Sequence, residues 1–61
     1  MDDLKRKLLL LRHKKKFNQG DLGKFLNVSI DSIKNWESGR FKPSDMNMVI
    51  LEDIFKREKI K

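Results

Sequence analysis

The stretch that decides the reading is NQGDLGKFLNVSIDSIKNWE, residues 18–37. Asn18 is a good helix N-cap, and Asp21, three residues on, can reach back to the Asn18 N–H, a capping box with Asp in place of Glu. Phe17 before the cap and Leu22 in the first turn form a hydrophobic staple. These signals predict a helix over residues 19–26 with Leu22 and Leu26 on one face. Gly20 and Gly23 weaken such a helix by about 1 kcal/mol each, so Gly23 calls for a packing reason. Asn27 tolerates the left-handed conformation that ends many helices. Ser29 can then cap another helix over residues 30–38, with Val28 and Ile33 as a second staple. At 100° per residue, Ile33, Trp36 and Glu37 share one face of it, while Asp31 and Asn35 point the opposite way, flanked by Lys34 and Ser32.

Outward from this stretch the pattern stays helical. Leu4, Leu8 and Leu11 recur at i, i+4 and i+7, widened by Leu9 and Leu10, and predict a helix from Asp3 to Lys15 capped by Asp2 or Asp3. Lys14 to Lys16 end it where cations are favoured. Gly39 ends the helix over 30–38, and Pro43 makes Arg40 to Pro43 a loop. Ser44 caps a last segment to about Arg57, read as one helix or two, in which Met46, Ile50 and Ile54 recur every four residues beside Val49, Leu51 and Phe55. Glu58 to Lys61 is expected to fray. No stretch alternates as a strand does, so the fold class is all-α.

The 61 residues form a single domain, residues 1–61, with no repeat and no linker. A domain this small buries only about 60% of its unfolded-chain surface. With no cysteine, neither a disulfide nor a thiolate metal site supplements the core. Net charge is +6, from 15 basic and 9 acidic residues. Seven of the basic ones fall in the first 16 positions (Lys5, Arg6, Lys7, Arg12, Lys14, Lys15 and Lys16). That bias suits an anionic partner, a nucleic acid or an acidic membrane surface, or else a solvated basic face.

Two short helices joined by a tight turn, the second polar on its outer face, describe a helix-turn-helix. Gly23 is the small residue a close, steep helix crossing needs, and Asn27 suits the turn. Asn18-Gln19-Gly20-Asp21-Leu22-Gly23, followed by Val28-Ser29, Ile33, Trp36-Glu37, Gly39 and Pro43, resembles the Cro/repressor-type (XRE-like) helix-turn-helix family of phage and bacterial regulators. The resemblance spans roughly residues 4 to 55, with about a dozen positions matching in order and spacing. It implies a compact, lambda-repressor-like bundle of four to five helices that binds double-stranded DNA with the helix over residues 30–38 in the major groove.

Carried onto this sequence, the resemblance assigns base contacts to Ile30, Asp31, Ser32, Lys34 and Asn35. It assigns phosphate contacts to Asn18, Gln19, Arg40 and Lys42. It also pairs Arg12 with Glu37 in a partly buried ion pair that sets the orientation of the reading helix. Asn35 can bond adenine at two points, Lys34 can donate to guanine or a phosphate, Asp31 can accept from cytosine, and Ile30 can touch a thymine methyl. The sequence departs from the family at Phe25, where a polar residue is usual, at Asn27, where glycine is commonest, and at Phe41 in an otherwise polar loop. Phe25 is expected to pack in the core against the last helix, and Phe41 to meet a dimer or other partner.

The function expected is sequence-specific DNA binding by a transcriptional regulator, a repressor of the Cro kind, as a homodimer on a two-fold operator. Two alternatives share the domain: a DNA-binding antitoxin that also binds a toxin protein, and a protein-interaction module without DNA binding, for which Asp31 on the reading face is the best argument. An enzyme is not expected, since His13 is the only histidine and no metal, cofactor or nucleophile set can be assembled around it. No apolar run approaches the roughly 20 residues that span a bilayer, and no signal peptide is recognisable. A cytoplasmic protein of a bacterial or phage-infected cell is expected.

Overall fold

The computed structural model describes residues 3–61. It contains four α-helices: α1 (Asp3–Lys15), α2 (Gln19–Leu26), α3 (Ile30–Ser38) and α4 (Asp45–Arg57). The expected start of α1 at Asp3 is observed, whereas a cap by Asp2 lies outside the described residues. The last segment is one helix, so the bundle has four helices rather than five.

The helices α2, α3 and α4 each begin with a side-chain cap. The Asn18 side chain accepts from the Asp21 N–H at 2.7 Å, and the Asp21 carboxylate accepts from the Asn18 N–H at 3.1 Å, which completes the reciprocal box. Ser29 accepts from the Ser32 N–H and Ser44 from the Asn47 N–H. Each cap satisfies one of the donors that a helix start leaves orphaned.

All four helices end in the same way. One left-handed residue follows each helix: Lys16 (φ 58°), Asn27 (φ 60°), Gly39 (φ 78°) and Lys59 (φ 57°). The next N–H then returns to a carbonyl five residues back: Phe17 to Arg12 (2.8 Å), Val28 to Gly23 (2.8 Å), Arg40 to Asn35 (3.0 Å) and Ile60 to Phe55 (2.8 Å). This is the Schellman closure, and it turns the chain sharply while satisfying terminal carbonyls. Phe17, Val28 and Ile60 each follow the left-handed residue and pack against the core. Where fraying was expected, Glu58 to Ile60 is folded back against the core. The closure and the packing of Ile60 tie the tail down.

The core consists of Leu8 and Leu11 from α1, Leu22 from α2, Ile33 and Trp36 from α3, and Leu51 and Phe55 from α4. The helix α3 packs against both α1 and α2. A Cβ on Gly23 would stand 2.9 Å from the Val28 carbonyl oxygen. That close backbone approach is the packing reason that α2 carries a glycine there.

Three sequence expectations are corrected. In α4 the inward residues are Leu51 and Phe55, with Met48 and Ile54 half-buried, while Met46 and Ile50 of the four-residue recurrence are exposed. Met48 to Leu51 is an unbroken apolar run that leaves the inward face of the helix undetermined until it packs. Leu9 and Leu10 lie largely outside the stripe they were expected to widen. Phe25 is not in the core. It is 43% exposed and sits beside Phe17, with ring centroids 5.4 Å apart, rather than against α4. The outer side of α2 faces solvent here, and the Lys15 ammonium lies over the Phe25 ring, 5.7 Å from its centroid.

Lysine in the left-handed region carries a steric cost that glycine escapes, about 1–2 kcal/mol per residue. Lys59 is exposed, and Lys59→Gly is expected to stabilise the fold by about 0.5–1 kcal/mol once the extra chain entropy of glycine is deducted. In a thermal melt this should read as a rise in midpoint of a few degrees; a lower midpoint would contradict the argument.

Candidate nucleic-acid interface

The candidate interface is built from the outer side of α3 and the two turns that flank it. Its foundation lies on the inner side. Glu37, at the end of α3, is a buried carboxylate whose side chain is 8% exposed. One guanidinium nitrogen of Arg12, Nη1, donates to both Glu37 oxygens, at 2.9 and 3.1 Å. The Gln19 Nε2 donates to Oε1 at 3.0 Å. Arg12 Nε reaches the Phe17 carbonyl at 3.3 Å. Residues from α1, the first turn of α2 and the last turn of α3 thus meet at one carboxylate, and Arg12 ties the α1–α2 turn to it. No buried side-chain nitrogen or oxygen among the described residues lacks a partner, so the polar cluster is fully satisfied, the condition under which such clusters specify one arrangement.

With Ile33, Trp36 and Glu37 turned inward and buried, the rest of α3 is fixed in rotation. Ile30, Asp31 and Lys34 are exposed, and Ser32 and Asn35 are half-exposed. The five residues expected to face bases thus lie along the side of α3 that the core does not use. The Ser32 hydroxyl lies 3.1 Å from that of Ser29. The Asn35 carbonyl accepts from the Arg40 N–H at 3.0 Å and from the Ser38 hydroxyl at 3.1 Å, which folds the loop after α3 back against the helix. Arg40 and Lys42 are exposed on that loop.

The two α2 residues expected at phosphates are placed differently from each other. Asn18 is exposed, with its side-chain oxygen committed to the cap. Gln19 is half-buried, with its amide nitrogen committed to Glu37. In the first turn of α2 the Asp21 N–H is taken by the Asn18 cap, while the N–H groups before it have no acceptor within the helix and stand at the positive end of its dipole. Sequence reasoning missed that Gln19 belongs to the Arg12–Glu37 cluster. Nothing in the spacing of Gln19 and Glu37 signals a contact, because it depends on how α2 crosses α3.

Phe41 is 60% exposed and edges a groove whose apolar walls come from Leu4, Trp36, Pro43 and Met48. Among the described residues no group of histidine, cysteine, aspartate or glutamate is arranged to hold a metal ion. No helix among them is long and apolar enough to cross a membrane.

Residues 7–59 match the helix-turn-helix family HTH_3. The chain belongs to this family of XRE/Cro-type helix-turn-helix proteins. Membership implies DNA binding and a place among transcriptional regulators, in a family typically without catalytic activity. No match was found among curated proteins or among solved structures.

The Glu37 cluster gives a direct test. Arg12→Met leaves a buried carboxylate without its cation and is expected to cost about 3 kcal/mol, near the lower end of the range for breaking buried pairs because Arg12 keeps some solvent contact. In urea titrations the double variant Arg12→Met/Glu37→Leu should lose less than the two single variants added together. Strict additivity would mean that the pair is not coupled.

Proposed function

We propose that this domain binds duplex DNA sequence-specifically, with α3 in the major groove, as the DNA-reading part of a transcriptional repressor of the phage Cro kind. The observation that carries the reading is the division of α3 into two faces. One is locked to α1 and α2 through Trp36 and the Glu37 cluster, and the other presents Ile30, Asp31, Ser32, Lys34 and Asn35 to solvent. A helix held rigidly with a polar outer face is what base-edge readout requires.

The roles follow from the chemistry of the side chains. Asn35 suits adenine, with one donor and one acceptor at the right separation, and Lys34 suits guanine O6 or N7. Asp31 accepts from cytosine N4 and repels phosphate, so it favours selectivity over general affinity. Ile30 meets a thymine methyl. Arg40, Lys42 and the start of α2 at Asn18 and Gln19 hold the backbone on either side, and these contacts set register without reading sequence.

A second copy completes the binding unit, because one short reading helix offers few base contacts. The exposed residues Met46, Val49 and Ile50 lie along one side of α4 and supply the apolar surface for a two-fold contact. Three side chains cover less than the roughly 800 Å² per partner of a standard interface. The homodimer is therefore weak in free solution and is completed on a two-fold operator.

Selection from random duplexes should return a consensus with two half-sites, and the absence of any preferred sequence would overturn the reading. On the selected site, Asn35→Ala should cost about 1–3 kcal/mol and relax one position, whereas Arg40→Ala should weaken all duplexes alike and lower the salt slope by about 1. Sedimentation of the free protein should give mainly monomer. Val49→Asp should remove the steepness of binding to the two-fold site and leave half-site affinity unchanged; loss of half-site affinity as well would place Val49 outside a dimer contact.

A further inference from the structure

Beside α2, on the side away from α3, Phe17 and Phe25 form an aromatic pair at the surface. Their ring centroids are 5.4 Å apart and the planes are tilted by 54°. Phe25 lies about 200° around the helix from Gly23, the residue that touches the α2–α3 turn. Three lysines, Lys15, Lys16 and Lys24, line the same shallow groove, together with Asp21. The Lys15 ammonium sits 5.7 Å from the Phe25 centroid and pairs with Glu58 at 3.2 Å. Among the described residues Lys16 and Lys24 form no ion pair, and both are exposed. The one carboxylate in the groove, that of Asp21, is already answered by the Asn18 N–H at 3.1 Å.

We propose that this groove is a docking site for a protein partner, through an acidic peptide segment that carries a large apolar side chain. Two ammonium groups without an ion-pair partner flank the aromatic pair, and the exposed part of Phe25 is apolar surface that burial would stabilise. Carboxylates of the segment meet Lys16 and Lys24, and its apolar side chain packs in the shallow groove against the exposed edges of the two paired rings. A nucleic-acid strand fits less well. The tilted rings offer no common plane for stacked bases, the Lys15 ammonium occupies one face of Phe25, and Asp21 would oppose a closely approaching phosphate. The site uses none of the α3 residues. Its availability on DNA rests on the reading of α3 given above, but peptide binding to the free protein does not.

The test is a titration of the isotope-labelled full chain, followed by amide NMR, with the blocked hexapeptide Asp-Glu-Leu-Phe-Glu-Asp. Three further probes are added in turn: the same peptide with Ser-Ser at its centre, the same peptide with lysine in place of every acid, and an oligo(dT) strand. Shifts should concentrate at Lys16, Phe17, Asp21, Lys24 and Phe25 and be lost with both control peptides. Phe25→Ser, a change at a half-exposed position, and the pair Lys16→Glu/Lys24→Glu should each weaken the peptide about fivefold or more. Phe25→Ser should leave duplex binding unchanged. No binding at millimolar peptide, equal shifts with the Ser-Ser peptide, or tighter binding of oligo(dT) to the same residues would each overturn the proposal, the last in favour of a single-strand surface. If duplex binding is absent altogether, the reading of α3 fails while the peptide result still stands.

Discussion

The buried carboxylate of Glu37 is the constraint on which the arrangement of this protein depends. A charge taken out of water is tolerated only where donors replace its hydration. Here those donors come from the end of α1 and the start of α2. The requirement to satisfy one carboxylate thus brings three helices to a common point. Because Arg12 also reaches the Phe17 carbonyl, the turn that launches α2 is held by the same guanidinium. Rotating α3 by even one residue would withdraw Glu37 from its partners and expose Trp36. Orientation, more than net stability, is what this cluster supplies, since the desolvation of the ions offsets much of their attraction.

Around that point the chain closes by repeating one device. Each helix ends on a left-handed residue, and three of these closures are followed by an apolar side chain that packs on the core. The connection from α1 to α2 and that from α2 to α3 each need only three residues. In a chain this short, brief connections keep the entropy cost of ordering down and leave most apolar residues available for burial. The same economy leaves apolar residues over. Met46, Val49 and Ile50 on α4, and Phe25 on α2, remain largely exposed. Surfaces with unfilled chemistry among the described residues include the outer side of α3, the outer side of α4, the groove edged by Phe41, and the aromatic and basic groove beside α2.

Much of this was legible from local signals. The caps Asn18, Ser29 and Ser44, the left-handed turns at Asn27 and Gly39, and the limits of α2 and α3 are carried by residues within a few positions of one another, and short-range hydrogen bonding decides them. The identity of the α3 residues that face outward was legible for a similar reason, because Ile33, Trp36 and Glu37 fall on one side at 100° per residue. The left-handed lysines were not legible. Lysine has no intrinsic preference for that conformation, and Lys16 and Lys59 adopt it because Phe17 and Ile60 gain burial when the chain turns there. The packing of Ile60 on the core was hidden for the same reason.

By itself, then, the sequence determined the number of helices to within one, their boundaries, and the face that α3 turns outward, since these follow from local hydrogen bonding and helical period. Only the tertiary structure decided which apolar residues of α4 point inward, that Phe25 stands at the surface, and that the Gln19 amide is spent on Glu37. Each of these is a contact between segments distant along the chain. Continuous apolar runs and isolated polar residues are compatible with several such contacts, and packing around the buried carboxylate selects one of them.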